Sequence, residues 1–250
     1  MVHILNIDKR YNTNLYGPMT MANPIILVNS VSVLFSRWGQ SVPALTNTSL
    51  EIFPKQWVMI VGHNGSGKST FLKTIAGYCT PTHGKIEFPE LKKTSDFNAF
   101  SSKIFYVGQD PLASTADKLT LIENLAVADP QPHCRWRRLS FNHDRYLKLL
   151  DEAGLSSRRN QLIKYFSGGE RQQIALIIAK IRRPQILLLD EPLSALDHVN
   201  IDSCIKLISS MNLEGCTILQ VSHDFKVSQS VGSRMVTFEQ GKIISDKILI

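Results

Sequence analysis

The stretch GHNGSGKST, residues 62–70, decides the fold of this 250-residue chain. It follows QWVMIVG, an apolar run typical of a buried strand, and it leads into KSTFLKTIAG, whose apolar spacing predicts a helix. GxxxxGK followed by Ser or Thr, placed between a strand and a helix, is the pattern of a phosphate-binding loop. Glycines let the backbone approach a phosphate, and the backbone N–H groups and the helix N-terminus attract it. We therefore predict a nucleotide site in this loop.

Each position of the loop has an expected role in binding the nucleotide. Lys68 supplies a positive charge to the β- and γ-phosphates, Ser69 can ligate Mg²⁺, and Thr70 is placed to contact the α- or β-phosphate. The predicted nucleotide-binding positions of the loop are Gly62, His63, Asn64, Gly65, Ser66, Gly67, Lys68, Ser69 and Thr70. A nucleoside triphosphate and Mg²⁺ are therefore the expected substrate and metal.

A second stretch, ILLLDE at residues 186–191, predicts the acidic part of the same site. It is a nearly continuous apolar run, typical of a buried parallel strand, and it ends in Asp190 and Glu191. Carboxylates at the carboxyl edge of a parallel sheet lie beside the nucleotide loop. Asp190 is suited to hold Mg²⁺ through its water shell, and Glu191 is suited to act as the general base for an attacking water or to polarise that water. Together with the loop, this pair predicts nucleotide hydrolysis.

The remaining pattern predicts an α/β protein with two kinds of sheet. Residues 1–24 are expected to be an irregular extension, and residues 25–250 are expected to form the folded domain. IILVNSVSVLF and LTNTSLEIF have the β-branched character of antiparallel strands, CTILQVSHD predicts another buried strand, and RMVTFEQGKIISD predicts a hairpin that turns at Gln240 and Gly241. Between about residues 110 and 184, TLIENLAVA and DRYLKLLDEAGL have helical periodicity, so we expect an inserted helical subdomain there.

Charge, cysteine content and hydrophobicity limit the classes of partner that the sequence predicts. The net charge is +7 and the sequence pI is near 9.3, yet the clearest basic run, RWRRLSFNHDR, lacks the interleaved aromatic residues of a nucleic-acid module, so no nucleic-acid partner is predicted. The four cysteines, Cys79, Cys134, Cys204 and Cys216, lie too far apart in sequence for a zinc knuckle. No apolar run reaches the roughly 18 residues that a membrane span needs. These features predict a cytoplasmic protein that reaches a membrane only through a partner.

Six stretches, in this order, resemble the ATP-binding-cassette (ABC) ATPases: GHNGSGKST (Walker A), VGQD (Q-loop), FSGGERQQIAL (family signature), ILLLDEP (Walker B), SALD (D-loop) and VSHD (switch histidine). The resemblance covers roughly residues 25–246. It implies a P-loop NTPase fold with a RecA-like core, an antiparallel β-subdomain and the inserted helical subdomain. It also implies ATPase activity coupled to transmembrane transport.

The resemblance carries roles to further residues. Gln109 matches the Q-loop glutamine that meets Mg²⁺ and the attacking water, and His223 matches the histidine that contacts the γ-phosphate. Asp197 matches a D-loop aspartate that lies across a dimer interface in the family. An aromatic residue is expected to stack on adenine, and two alternatives remain: Trp38, which has the larger face, and Phe35.

The signature stretch presents a second phosphate-type turn, which has no lysine. The resemblance implies that Ser167, Gly168, Gly169 and Glu170 contact the γ-phosphate of an ATP held by a second cassette subunit. A helix N-terminus attracts such an anion only weakly while exposed. In the family the signature commonly reads Leu-Ser-Gly-Gly-Gln, whereas here it begins with Phe166 and ends in Glu170. The sequence leaves open whether Glu170 changes the contact.

A single cassette implies the ATPase subunit of a multi-chain transporter that works as a head-to-tail pair, with a homodimer expected. Its expected partners are integral membrane permeases and a solute-binding protein, and its expected place is the cytoplasmic face of the inner membrane. DKLTLIENLAVADPQPHCRWRRL resembles importer subunits, including those of amino-acid systems. The alternatives are an exporter ATPase of the lipoprotein or drug type, since Glu170 also occurs there, and a soluble cassette ATPase that acts on DNA or ribosomes. A nucleotide kinase is a further rival, but it would need neither the signature helix nor His223.

Overall fold

Nine strands form two sheets in the part of the chain that this computed structural model describes: residues 23–37, 40–89, 103–110, 114–130, 143–194, 196, 198–223 and 231–249. The strands are β1 (Ile26–Arg37), β2 (Gln40–Ile52), β3 (Trp57–Val61), β4 (His83–Glu87), β5 (Ile104–Val107), β6 (Ile186–Asp190), β7 (Thr217–Val221), β8 (Arg234–Glu239) and β9 (Lys242–Ile248). The helices are α1 (Lys68–Ile75), α2 (Leu121–Ala128), α3 (His143–Glu152), α4 (Gly168–Arg182) and α5 (His198–Leu213), and short 3₁₀ turns cover Ser156–Arg158 and Ile163–Tyr165.

The larger sheet has the strand order β5-β6-β7-β3-β8-β9. Its first five strands are parallel, and only β9 runs antiparallel, against β8. β7 lies between β6 and β3, so the chain segments that follow these three strands emerge side by side at the carboxyl edge. Nucleotides bind at this edge in open parallel sheets. The sheet therefore brings the loop after β3 next to the carboxylates that end β6.

Every residue of β3, β6 and β7 is buried, which explains why their sequences are mostly apolar and lack the alternation of a half-exposed strand. The buried polar exceptions are Asp190, Thr217 and Gln220. Successive side chains point to opposite faces, and each face packs on a different layer. Val58 and Ile60 face α1 and the smaller sheet, whereas Trp57, Met59 and Val61 face α4 and α5. The sheet is thus the central layer between two apolar cores.

The smaller sheet is antiparallel, with the order β2-β1-β4. The strands predicted from IILVNSVSVLF and LTNTSLEIF are confirmed as β1 and β2. The third strand, β4, pairs with β1 and begins at His83, opposite Ser32. The predicted hairpin at the end of the chain is also confirmed, because Glu239 pairs with Lys242 across a two-residue turn. Gln240 and Gly241 both have positive φ, as such a turn requires.

Helices α2, α3 and α4 share a third apolar core around Leu125, Leu150 and Ile178. α4 contributes to two cores, because Ala175, Leu176 and Ala179 pack on the sheet while its isoleucines pack on α2 and α3. A helix buried on two sides is apolar around most of its circumference, which accounts for the sequence IALIIAKI. None of the helices within the described ranges combines the length and the apolar content that a bilayer crossing needs.

Candidate functional site

Glycines at two positions allow the loop between β3 and α1 to pass close to neighbouring backbone. Gly67 has a φ of +100°, and a Cβ there would lie 2.5 Å from the carbonyl oxygen of Ala44. Gly62 has a φ of +146°, and a Cβ there would lie 2.2 Å from the carbonyl oxygen of Phe238. Residues other than glycine rarely adopt these φ values, and a Cβ would not fit so close to either oxygen. The predicted need for glycine therefore has a steric cause at both ends of the loop.

The Lys68 ammonium lies within the loop. Its Nζ donates hydrogen bonds of 2.8 Å to the carbonyl oxygens of Gly62 and His63. Burial lowers the pKa of Lys68, while the nearby charges of Glu191 and Asp190 oppose that shift. The charge of the lysine is thus oriented by its own loop and lies near both carboxylates of the second predicted stretch.

Asp190, at the end of β6, connects the loop to β5. Its Oδ1 accepts a hydrogen bond of 2.9 Å from Ser69 Oγ, and its Oδ2 accepts one of 3.0 Å from the Tyr106 hydroxyl. Asp190 is 1% exposed, and a buried carboxylate needs partners of this kind. Hydroxyl and carboxylate oxygens are the donors that Mg²⁺ prefers. The Ser69–Asp190 pair therefore fits Mg²⁺.

Glu191 and His223 are in contact at the carboxyl edge of the sheet. Glu191 Oε1 is hydrogen-bonded to His223 Nε2. Glu191 has a φ of +54°, a region that L residues adopt rarely and that is found at functional turns. The chain turns sharply there, and Ser194 Oγ donates a hydrogen bond of 3.0 Å to the Glu191 carbonyl oxygen. The turn leaves the Glu191 side chain 18% exposed and that of His223 40% exposed, so both remain accessible.

One open cleft of about 380 Å³ brings most of the predicted residues together. It is lined by Ala44, Asn64, Gly65, Ser66, Gly67, Lys68, Ser69, Thr70, Gln109, Glu191 and His223. Gly62 and His63 are not part of this lining, but their carbonyl oxygens accept hydrogen bonds from Lys68. Asp190 is also outside the lining and accepts a hydrogen bond from Ser69. A cationic group, a hydroxyl, a carboxylate and an imidazole therefore face the same space, and these groups are suited to binding phosphates and hydrolysing a phosphoanhydride.

The signature turn is absent from the lining of this cleft among the residues that the structure describes. Ser167 is the N-cap of α4, and its Oγ accepts a hydrogen bond of 3.2 Å from Glu170 N, while Glu170 Oε2 accepts one of 2.8 Å from Ser167 N. A Cβ at Gly168 would meet nothing within 4 Å, so the turn is open at that residue. The chain thus has two phosphate-type turns that face different spaces.

Three predicted residues remain: the two aromatic candidates for stacking on adenine and the D-loop aspartate. Trp38 and Asp197 lie outside the described residues. Phe35 is in β1, opposite Val42 of β2, and it is exposed. The choice between Trp38 and Phe35 as the adenine platform stays a prediction with two alternatives.

Sequence reasoning missed two residues that support the site. Tyr106 donates to Asp190, and burial, followed by the Asp190 charge, raises its pKa, so the phenol keeps its proton. Arg158 is paired with Glu170 of the signature turn. Tyr106 lies three residues before Gln109 in the sequence, but that position alone does not indicate a contact with Asp190. The contact depends on the register of β5 against β6, in which Tyr106 lies opposite Leu188. No comparable signal marks Arg158.

Known proteins are similar to this chain in sequence. The family model described as ABC transporter matches residues 45–194, more than half of the chain. The glutamate/aspartate import ATP-binding protein GltL of Escherichia coli (strain K12) is 31% identical over 214 residues, which are 84% of this chain and 87% of that protein. The aliphatic sulfonates import ATP-binding protein SsuB of Albidiferax ferrireducens is 34% identical over 204 residues, 81% of this chain and 68% of the relative.

Solved structures agree in fold. The dimeric structure of the bacterial ABC transporter cassette MJ0796 has a TM-score of 0.78 at 27% identity, covering 90% of this chain and 99% of that one. A dimeric post-hydrolysis state of MJ0796 bound to ADP and Pi has a TM-score of 0.76 at 26% identity, with the same coverage. The predicted fold class is confirmed by these likenesses. This chain belongs to the ABC transporter family and is an ATPase of that family.

Proposed function

We propose that this chain is the ATP-hydrolysing subunit of a multi-chain importer whose separate permease subunits carry the solute. The proposal is carried by the single cleft in which Lys68, Ser69, Gln109, Glu191 and His223 meet. The relatives named as glutamate/aspartate and aliphatic sulfonate import proteins support import of a small solute, and an amino-acid-type solute is one candidate.

The proposed mechanism begins with binding of the ATP phosphates. The loop N–H groups and Lys68 hold the β- and γ-phosphates, because a partly buried charge acts through a lower dielectric than water. Ser69, Asp190 and Gln109 are proposed to hold Mg²⁺, which when bound neutralises phosphate charge. Trp38 or Phe35 is proposed to stack on the adenine.

Hydrolysis is assigned to Glu191. Its carboxylate accepts a proton from a water molecule as the water oxygen bonds to the γ-phosphorus and the bond to the bridging oxygen breaks. His223 holds the Glu191 carboxylate and is placed to contact the γ-phosphate oxygens. The products are ADP and inorganic phosphate, the two molecules bound in the post-hydrolysis MJ0796 structure.

Transport is proposed to depend on pairing of two cassettes. Ser167, Gly168, Gly169 and Glu170 line a turn outside the cleft of their own chain, where they can face the γ-phosphate held by a second copy. Asp197 is proposed to lie across the same interface. The dimeric MJ0796 cassette supports this arrangement. ATP then closes the pair, and its hydrolysis opens it.

The pair is proposed to bind at the cytoplasmic face of the membrane through permeases, with a solute-binding protein as a further partner. Affinity purification of the tagged chain from solubilised membranes tests this proposal. An integral membrane permease should copurify stoichiometrically, and Lys68→Ala should abolish the ATP-stimulated transport of the reconstituted complex. Recovery of ribosomes or DNA in place of a permease would contradict the transporter assignment, and ATP-driven efflux from reconstituted vesicles would favour the exporter alternative.

A further inference from the structure

We infer that Arg158 is a positioning residue that neutralises Glu170 and thereby allows a carboxylate to lie beside the phosphate-facing turn of α4. The inference rests on the proposed function, because it takes the N-terminus of α4 as the surface that meets the γ-phosphate of a second copy. It explains how a signature that ends in glutamate can bind an anion.

Glu170 places a negative charge at the N-terminus of α4. One carboxylate oxygen, Oε2, accepts the hydrogen bond from Ser167 N, and the other, Oε1, pairs with Arg158 Nη1. The N–H groups of Gly168 and Gly169 begin the helix, and the helix supplies no carbonyl partner for them. A carboxylate at this place stabilises the helix end, but it repels any second anion that approaches the same N–H groups.

All three guanidinium nitrogens of Arg158 have a hydrogen-bond or ion-pair partner. Nε donates to Gln161 Oε1 at 2.8 Å, Nη2 donates to the Tyr165 carbonyl oxygen at 3.2 Å, and Nη1 pairs with Glu170. Its Cζ lies 4.1 Å from the centroid of the Phe166 ring. Because Tyr165 and Phe166 directly precede Ser167, the arginine contacts both the turn and the carboxylate. A planar fork fixed in this way loses little freedom when it binds a carboxylate.

The Arg158–Glu170 pair has a net charge of zero, as does the glutamine that is common at this signature position. A glutamine could accept the hydrogen bond from Ser167 N through its amide oxygen and would need no counter-ion. A glutamate offers the same acceptor, but its charge must be balanced. Arg158 and Glu170 are 32% and 27% exposed in their side chains, so solvent screens the pair only in part. The importance of Arg158 should therefore depend on the charge at position 170.

That dependence is testable with a double-mutant cycle in the full chain. The proteins are the Glu191→Gln chain, in which ATP is not consumed, and the same chain with Arg158→Met, Glu170→Gln or both. Methionine keeps the apolar stem over Phe166 and removes the charge. The dissociation constant of the ATP-dependent dimer is measured by analytical ultracentrifugation, and the affinity of the monomer for a fluorescent ATP analogue is measured at low protein concentration.

Arg158→Met is expected to weaken the dimer on the order of tenfold, because an unbalanced carboxylate then faces the phosphate. Adding Glu170→Gln to Arg158→Met should restore the dimer dissociation constant to within about twofold of that of the Glu191→Gln chain. The remaining difference reflects the lost hydrogen bonds of Arg158 to Gln161 and Tyr165. The defect of Arg158→Met should shrink at about 1 M salt, where the Debye length is short. Arg158→Lys should retain most of the dimer, and nucleotide binding to every monomer should be unchanged.

A double variant as weak as Arg158→Met alone would overturn the inference, since the arginine would then act through its shape and not its charge. An Arg158→Met variant that dimerises normally would overturn it as well. Thermal melting reports folding of each variant, and Arg158→Gln replaces Arg158→Met in the cycle if the methionine variant does not fold. If the Glu191→Gln chain binds ATP yet stays monomeric, the proposed function itself fails and this inference fails with it.

Discussion

The Tyr106 hydroxyl donates a hydrogen bond of 3.0 Å to Oδ2 of Asp190, while Ser69 Oγ donates one of 2.9 Å to Oδ1 of the same carboxylate. The two donors come from strand β5 and helix α1, and each binds a different oxygen of the carboxylate. Because Asp190 is almost fully buried, these two contacts fix its orientation. Tyr106 therefore acts on the proposed Mg²⁺ site through Asp190.

Removing the Tyr106 hydroxyl should weaken the metal site without removing the aromatic ring. In Tyr106→Phe, Asp190 loses one of its two side-chain donors, and we expect the Mg²⁺ concentration that half-saturates the ATP-bound chain to rise about tenfold, as for other residues that orient a metal ligand. Calorimetric titration of Mg²⁺ into the ATP-bound chain measures this concentration directly.

Tyr78→Phe is the matched control for this change. The Tyr78 ring packs edge-on against Tyr106 with centroids 5.4 Å apart, and Tyr78 is 70% exposed, so its substitution removes a phenol next to the same ring and leaves the Tyr106–Asp190 bond in place. Equal Mg²⁺ requirements in the two variants would remove Tyr106 from the metal site.

Gly67→Ala should destabilise the chain more than Gly77→Ala does. Both glycines have positive φ, +100° and +81°, so both substitutions incur backbone strain. At Gly67 the new Cβ would also lie 2.5 Å from the Ala44 carbonyl oxygen, whereas at Gly77 it meets nothing within 4 Å. We expect Gly67→Ala to lower the free energy of unfolding by about 1 to 2 kcal/mol more than Gly77→Ala. Urea unfolding tests this, and equal losses would show that the loop relaxes around the methyl group.

The nucleotide loop could be predicted from sequence because its chemistry is local. Gly62, Gly67 and Lys68 belong to one short motif, and the strand and helix around it have clear apolar patterns. The carbonyl oxygens of Phe238 and Ala44, which exclude a Cβ at the two glycines, come from distant segments and were not predictable. The carboxyl edge was predictable too, since the buried runs that end at Asp190 and precede His223 have the continuous apolar character of parallel strands. The presence of these motifs could be predicted from the patterns of single segments.

The supporting contacts could not be predicted, because they depend on register and on turn geometry. Tyr106 reaches Asp190 only because it lies opposite Leu188, two residues before Asp190 on the same face of β6. Arg158 reaches Glu170 from a 3₁₀ turn twelve positions earlier, across a segment without periodicity. Long-range side-chain pairs of this kind leave no mark in the spacing of a single sequence.

Titration of a buried thiol should make stability fall at alkaline pH. Burial raises the pKa of Cys204 to about 12 from an ordinary value of 9.0. Because the folded pKa is the higher one, the thiol contributes fully to stability below about pH 9, and this contribution is lost as pH rises toward 12. Cys204→Ala should therefore cost less stability at about pH 10.5 than at about pH 8, by on the order of 1 kcal/mol.

Met211→Ala provides the comparison for that measurement. Met211 is buried on the same helix, α5, and has no titratable group, so its cost in unfolding free energy should not change with pH. Parallel pH dependence of the Cys204→Ala and Met211→Ala costs in urea unfolding would show that the Cys204 thiol does not titrate differently on unfolding.

Replacement of Glu191 by glutamine should stop hydrolysis and preserve ATP binding. An amide cannot accept the proton of the attacking water, so ATP turnover should fall by about 100-fold or more. The binding groups of the loop, led by Lys68, are unchanged, and the amide of the introduced glutamine is still able to form a hydrogen bond with His223. Normal steady-state turnover in the variant would remove Glu191 from the role of general base.

The mass of the Glu191→Gln chain in the presence of MgATP, measured by light scattering during gel filtration, tests most directly whether two copies enclose the ATP. We predict the mass of a dimer with MgATP and of a monomer with MgADP, because only the γ-phosphate connects the loop of one copy to the Ser167 turn of the other. A monomer mass with MgATP bound would contradict the account.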